Sequence, residues 1–165
     1  MISIKSAGVN DLKVIHELAH SIWPSAYGEI LSESQLKYML EKIYSLLSLQ
    51  NQFSVLKHQF IIVVDNETPV GFASYSLHKD DHKVFHLNKI YVLSQEQGKN
   101  IGKLVLNYVI DQIKNSGATS LQLNVNRNNK ALHFYEKQGF KIIREEDIDI
   151  GEGYFMNDYV MEVKW

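Results

Sequence analysis

Two stretches of this sequence hold residue types whose spacing could do chemistry. The first is Gln95-Glu96-Gln97-Gly98-Lys99-Asn100-Ile101-Gly102-Lys103, which follows a β-branched apolar run and leads into a run with helical periodicity. A strand-to-helix junction points backbone N–H groups that lack intrahelical partners, together with the positive end of the helix dipole, at one spot. That is an anion site suited to phosphate. Gly98 and Gly102 let a bulky ligand approach the backbone without a Cβ clash. Asn100 tolerates the left-handed conformation better than other non-glycine residues and so preserves the loop shape. The spacing is neither a Walker loop nor G-x-G-x-x-G, so it specifies an anion without naming one. The second stretch runs from Asn126 through Asn128, Asn129 and Tyr135 to Gly139-Phe140. It opens with polar capping residues and closes on a glycine stop. There is no cysteine, which excludes disulfides, thiolate metal sites and a cysteine nucleophile.

The elements that must position these stretches can be read from periodicity. A short strand at residues 2–5 precedes a helix at about 11–22 capped by Asn10, which the segment from Trp23-Pro24 to Gly28 should break. Ser32 and Gln35 look like a capping box for a second helix, with Leu36, Met39, Leu40, Ile43 and Leu47 as its stripe. A further short helix is expected at about 51–56. Strands at 60–64, 70–77 and 84–93 follow, the first two as a hairpin. A helix at about 100–115, with Ile101, Leu104, Val105, Tyr108 and Val109 inward, leads to a strand at 121–125. Strand, helix, strand at this spacing implies parallel pairing. A helix at about 129–138 and strands at 140–144 and 154–163 complete an α+β fold. Its centre is a mixed sheet of about seven strands flanked by helices. With no linker or repeat, residues 1–165 read as a single domain.

Taken together, Q-G-K-N-I-G and N-N-K-A-L-H-F-Y-E-K-Q-G-F resemble the two central motifs of the GNAT superfamily of N-acetyltransferases, in the same order and at about the same distance. The first is similar to the Q/R-x-x-G-x-G/A loop, the second to N-x-x-A-x-x-F-Y-x-x-x-G-F. The motif likeness covers about residues 87–140, and the element order nearly the whole chain. The resemblance implies an acetyl-CoA-dependent N-acetyltransferase with a GNAT-type fold and no metal. It implies that Gln97, Gly98, Lys99, Asn100, Ile101 and Gly102 hold the CoA pyrophosphate, with Lys103 adding charge. Ile90, Tyr91 and Val92 then offer backbone groups to the pantetheine in the manner of an added strand. Asn128 matches the motif asparagine, which caps its helix and touches the cofactor. Tyr135 matches the tyrosine that protonates the departing thiolate. A phenol of pKa near ~10 can deliver that proton at neutral pH. Ala131, Phe134, Tyr135 and Gln138 also fall at helical spacing, so packing is the competing role for Tyr135. Several family members carry a glutamate where this chain has Asn88, and an amide cannot act as a base. His86, two residues earlier on the same strand face, is the candidate relay in its place.

The acceptor pocket implied by the resemblance involves Trp23, Tyr27 and Asn88, with Tyr75 and residues around Tyr154 as further candidates, and the C-terminal segment is rich in carboxylates from Glu145 to Asp158. Aromatic rings and acidic side chains suit a cationic amine of polyamine type. Peptide or protein amines, and a catalytically weak module that binds acyl-CoA as a sensor, stand as alternatives. A formal net charge of −2 gives no argument for nucleic acid or an anionic membrane. The start MISIKSAG lacks the features of a signal peptide, and the longest apolar stretch, at 60–64, is too short to span a bilayer. A soluble cytoplasmic protein is expected, with a homodimer through the late strands compatible with the pattern.

Overall fold

In the computed structural model, which describes residues 1–165, the elements run β1 (Ile2–Ser6), α1 (Leu12–Tyr27), α2 (Glu33–Tyr44), α3 (Leu46–Ser54), β2 (Gln59–Asp65), β3 (Thr68–His78) and β4 (Asp81–Val92). Then come α4 (Ile101–Asn115), β5 (Ser120–Asn126), α5 (Ala131–Lys137), β6 (Lys141–Gly151) and β7 (Tyr154–Lys164). The strands form one mixed sheet in the order β1-β2-β3-β4-β5-β7-β6, with five helices flanking it. This is the α+β architecture expected from the alternation of periods. The β4–β5 pair is parallel, as a strand-helix-strand crossover requires.

Contacts divide the chain into two units. Met1–Ser76 and Lys89–Val109 make up one, Leu77–Asn88 and Ile110–Trp165 the other. In the first unit, β1 and β2 pair antiparallel, as do β2 and β3, with a bulge at Val63/Val64. Its core is built on Ile15, Ala19, Leu49, Ile61, Val63 and Phe72, all at most 1% exposed. In the second unit, β5 alternates: Leu121, Leu123 and Val125 are buried, while Gln122, Asn124 and Asn126 are half-buried. The register His86↔Gln122 then sets His86, Gln122 and Asn124 on one face.

Several local expectations are corrected. Helix α1 does not stop at Trp23-Pro24 but continues to Tyr27. Proline inside a helix costs about 3 kcal/mol. Trp23 is 3% exposed, with the rings of Tyr27, Tyr44 and Tyr91 at 4.5, 5.3 and 5.7 Å. Burying an indole contributes roughly 4 kcal/mol or more at the usual area coefficient, so packing outweighs the proline. Asn10 does not cap α1: it lies in a single 3-10 turn, and the Asp11 carboxylate accepts the Gly8 N–H at 2.8 Å instead.

The Ser32 hydroxyl does cap α2, accepting the Gln35 N–H at 3.1 Å. Leu47, however, is 78% exposed, and the fully buried residue of that segment is Tyr44. Ser45 ends α2 and caps α3, whose start at Leu46 resets the helical phase. The short helix expected at 51–56 therefore lies earlier. In α4, Ile101, Val105 and Val109 are buried as expected and Tyr108 is half-buried, but Leu104 is 44% exposed and Leu106, at 1%, is buried instead.

Candidate active site

The junction between β4 and α4 is held open. A 3-10 turn at Ser94–Glu96 follows β4, with the Leu93 N–H bonded to the Val70 carbonyl at 2.9 Å. Gly98 has φ +86° and Asn100 φ +58°, so both take the left-handed conformation expected of them. A Cβ built on Gly98 would meet nothing within 4 Å, and Gln97, Gly98, Lys99 and Asn100 are all exposed. The Asn100 carbonyl takes the first helical bond of α4, from the Leu104 N–H at 3.1 Å. The N–H groups of Ile101, Gly102 and Lys103 precede it in the first turn, where a helix offers no internal acceptor. This cradle fits a diphosphate. The Lys99 ammonium lies 2.6 Å from Glu96 and 3.9 Å from Asp65. Its charge is thus largely met by these two carboxylates, one in the loop and one at the end of β2. Lys103 is exposed on the first turn of α4.

Upstream of the loop, β4 runs on to Val92, while its register with β5 extends only from Val84↔Ser120 to Leu87↔Leu123. Ile90, Tyr91 and Val92 are half-buried. Gly71 of β3 is required here: a Cβ on it would stand 2.7 Å from the Tyr91 carbonyl oxygen. The Tyr91 hydroxyl pairs with that of Tyr27 at 2.8 Å, and Trp23 packs beside both as core. One neighbour on this strand was not anticipated. Lys89 is 7% exposed, and its ammonium donates to Gln52 Oε1 at 2.6 Å and lies 5.6 and 5.7 Å from the ring centres of Tyr44 and Phe60. Gln52 is fixed in turn by donating to the Ile43 carbonyl and the Ser48 hydroxyl. Burial without a carboxylate partner pushes the Lys89 ammonium down to about 8.

In the second unit, Tyr135 sits on α5, 8% exposed, edge-on to Phe134 and Phe140 at 5.3 and 5.8 Å. Its carbonyl accepts the N–H groups of Gln138 and Phe140, which closes the helix onto the Gly139 stop at φ +94°. Asn128 is exposed, and its side chain does not cap α5. The Asn129 Oδ1 accepts the Ala131 N–H and the Asn126 Oδ1 accepts the Asn128 N–H, each at 2.9 Å.

His86 and Asn88 share a face of β4, as their spacing implies. His86 Nδ1 is 3.0 Å from Asn88 Oδ1, and Nε2 is 3.0 Å from Asn124 Oδ1. Asn124 Nδ2 faces Asp158 Oδ2 at 3.3 Å and Glu146 Oε2 at 3.4 Å. Asp158 is 2% exposed, and burial raises its carboxyl above the usual value against the opposing hydrogen bond from Asn124. Glu146 is held below the usual range, chiefly by the Arg144 guanidinium at 2.9 Å. Arg127 pairs with Glu145 and Asp147, so much of the acidic run is neutralised locally. Asn124 carries no motif in the sequence, and Asp158 enters it only as the last carboxylate of the acidic segment. The only available signal was period-2 phasing of β5 and β7, which needs their register.

Residues 13–140 match the Acetyltransferase (GNAT) family. The chain is 28% identical to spermidine N(1)-acetyltransferase of Thermoplasma acidophilum, over 99% of this chain and 98% of that one. It superposes on the crystal structure of PaiA N-acetyltransferase from Thermoplasma acidophilum in complex with coenzyme A with a TM-score of 0.84. There the identity is 26%, with 100% of this chain and 99% of the other covered. It is also 33% identical to the [ribosomal protein bS18]-alanine N-acetyltransferase of Haemophilus influenzae, over 56% of this chain and 58% of that one. The chain belongs to the GNAT acetyltransferase family. It is an acetyl-CoA-dependent N-acetyltransferase. No helix is long and apolar enough to cross a membrane.

Proposed function

We propose that this enzyme moves the acetyl group of acetyl-CoA to a primary amine of a small, polyamine-like molecule, by direct attack, with Tyr135 as general acid. The observation that carries the reading is the exposed, left-handed turn at Gly98 and Asn100 opening onto α4. Backbone amides of residues 97–102 there serve a diphosphate, and Ile90 to Val92, beyond the last β4–β5 register pair, serve the pantetheine amides. Bound acetyl-CoA supplies an activated thioester. The neutral amine nitrogen bonds to the thioester carbonyl carbon, the C–S bond breaks, the Tyr135 hydroxyl gives its proton to sulfur, and the proton shed by the acylated nitrogen restores the phenol. The reading takes residues 1–165 as one catalytic domain.

The polyamine preference is supported by the spermidine acetyltransferase likeness, which spans the whole chain. Peptide or protein amines are the second reading, favoured by the likeness to a ribosomal-protein alanine acetyltransferase over part of the chain. Thiol release from acetyl-CoA, measured over polyamines, amino acids, peptides and aminoglycosides, tests both. The highest kcat/KM is expected for a polyamine. Turnover confined to peptides would replace the first reading with the second.

A further inference from the structure

We infer that Asn124 is a positioning residue that, backed by Asp158, holds His86 as the Nε2-protonated imidazole and leaves Nδ1 to take the proton shed by the acceptor ammonium. The inference rests on the amine-acetylation reading above and supplies what that reading lacks, since Asn88 cannot serve as a base.

The argument begins with the Asn124 amide. Its Nδ2 faces two carboxylate oxygens, of Asp158 at 3.3 Å and Glu146 at 3.4 Å. Turned the other way, its carbonyl oxygen would oppose both anions, so the N–H₂ side is fixed toward them. Asp158 is the firm partner because it is buried at 2% exposure, while Glu146 also answers to Arg144. With Nδ2 committed, Oδ1 must point at His86 Nε2, and at 3.0 Å it accepts a hydrogen bond only if Nε2 carries a proton. The basic lone pair of the neutral ring is then on Nδ1, and the Asn88 amide 3.0 Å from it must turn its N–H₂ toward that lone pair, its oxygen facing the ring once Nδ1 carries a proton.

The protonated ring is accommodated as well. An imidazolium donates from both nitrogens, and both face amide oxygens at 3.0 Å. The charged groups bearing on it are Glu146 from β6, Asp158 from β7, and Arg144 and Arg127 bound to the neighbouring acids. In the step itself the ammonium N–H bond breaks, an Nδ1–H bond forms, and the electron pair stays on the amine that will attack. No oxidant or further reactant is involved.

Imidazole nitrogen NMR of the wild-type protein tests the geometry without any variant. The His86 ring is expected as the Nε2–H tautomer at alkaline pH, and an Nδ1–H tautomer there overturns the inference. In Asn124→Leu, checked for folding by melting and for acetyl-CoA binding by thermal shift, that tautomer preference should disappear. The alkylamine kcat should fall roughly tenfold, with KM for acetyl-CoA unchanged. In a His86→Ala background the Asn124→Leu change should have almost no further effect on kcat. Additive losses in the double variant would mean that Asn124 acts independently of His86 and would overturn the role. A wild-type protein that turned over no amine would instead defeat the acetylation reading, and the tautomer spectrum would still stand or fall alone.

Discussion

Replacing Lys89 by methionine should remove a pH dependence of stability that the structure locates in one side chain. The lysine is 7% exposed and has a glutamine, Gln52, as its hydrogen-bond partner, with the faces of Tyr44 and Phe60 nearby. Its native pKa, lowered by burial, is about 8, against an unperturbed value of 10.5. Each unit is about 1.36 kcal/mol, so the charged form in the folded protein is disfavoured by roughly 3 kcal/mol. A base with a depressed native pKa loses its proton in the folded state first. Between about pH 8 and 10.5 the unfolded chain therefore binds more protons, and stability rises with pH. Below that window both states are protonated and the full penalty is present. Above it both are neutral and the slope vanishes.

From pH about 7.5 to about 9.5, the unfolding free energy of the wild type should rise by about 2 kcal/mol relative to Lys89→Met. Urea titrations followed by tryptophan fluorescence at each pH measure this. The absolute stability of the variant is a poorer readout. Methionine also strands Gln52 Oε1, which costs about 1–3 kcal/mol and masks the gain from removing a buried charge. A difference that is flat or falls over this range would mean that the ammonium reaches water or an anion, and the account of Lys89 would be wrong.

Three further outcomes follow from the site and core. Tyr135→Phe should lower kcat about 100-fold while leaving acetyl-CoA affinity by calorimetry unchanged; near-normal turnover would remove the hydroxyl from the mechanism. Asn100→Val places a β-branched residue at φ +58° and should raise KM for acetyl-CoA roughly tenfold with little effect on the amine KM; equal KM values in variant and wild type would detach this turn from the cofactor. Trp23→Ala should destabilise the fold by about 3–5 kcal/mol, read from the denaturation midpoint, because the ring is core at 3% exposure; a loss below about 1 kcal/mol would show that Tyr27, Tyr44 and Tyr91 close over the gap.

What the chain could announce by itself was local. The positive φ of Asn100 and Gly98, the Ser32 cap and the antiparallel hairpin of β2 and β3 each depend on residues a few positions apart. Sterics and spacing decide these before anything distant packs. The same locality placed His86 and Asn88 on one strand face. It also made the two motif segments recognisable as those of an acetyltransferase. The same locality misled at Pro24, where the local rule ends a helix. The indole of Trp23, buried against Tyr27 of its own helix and rings from two other elements, overrode it.

Tertiary structure alone decided the rest. Lys89 is buried because the phase that puts Phe85 and Leu87 inside continues along β4, and its partner Gln52 comes from a helix whose start is set by the Ser45 cap. Asn124 meets Asp158 because β5 and β7 pair in a register with Val125 opposite Tyr159. A slip of one residue would turn those side chains to opposite faces, and no single strand encodes which register is chosen. Hydrogen bonds and charges act over a few ångströms. Which groups come that close depends on how the strands align, and only the folded chain settles that.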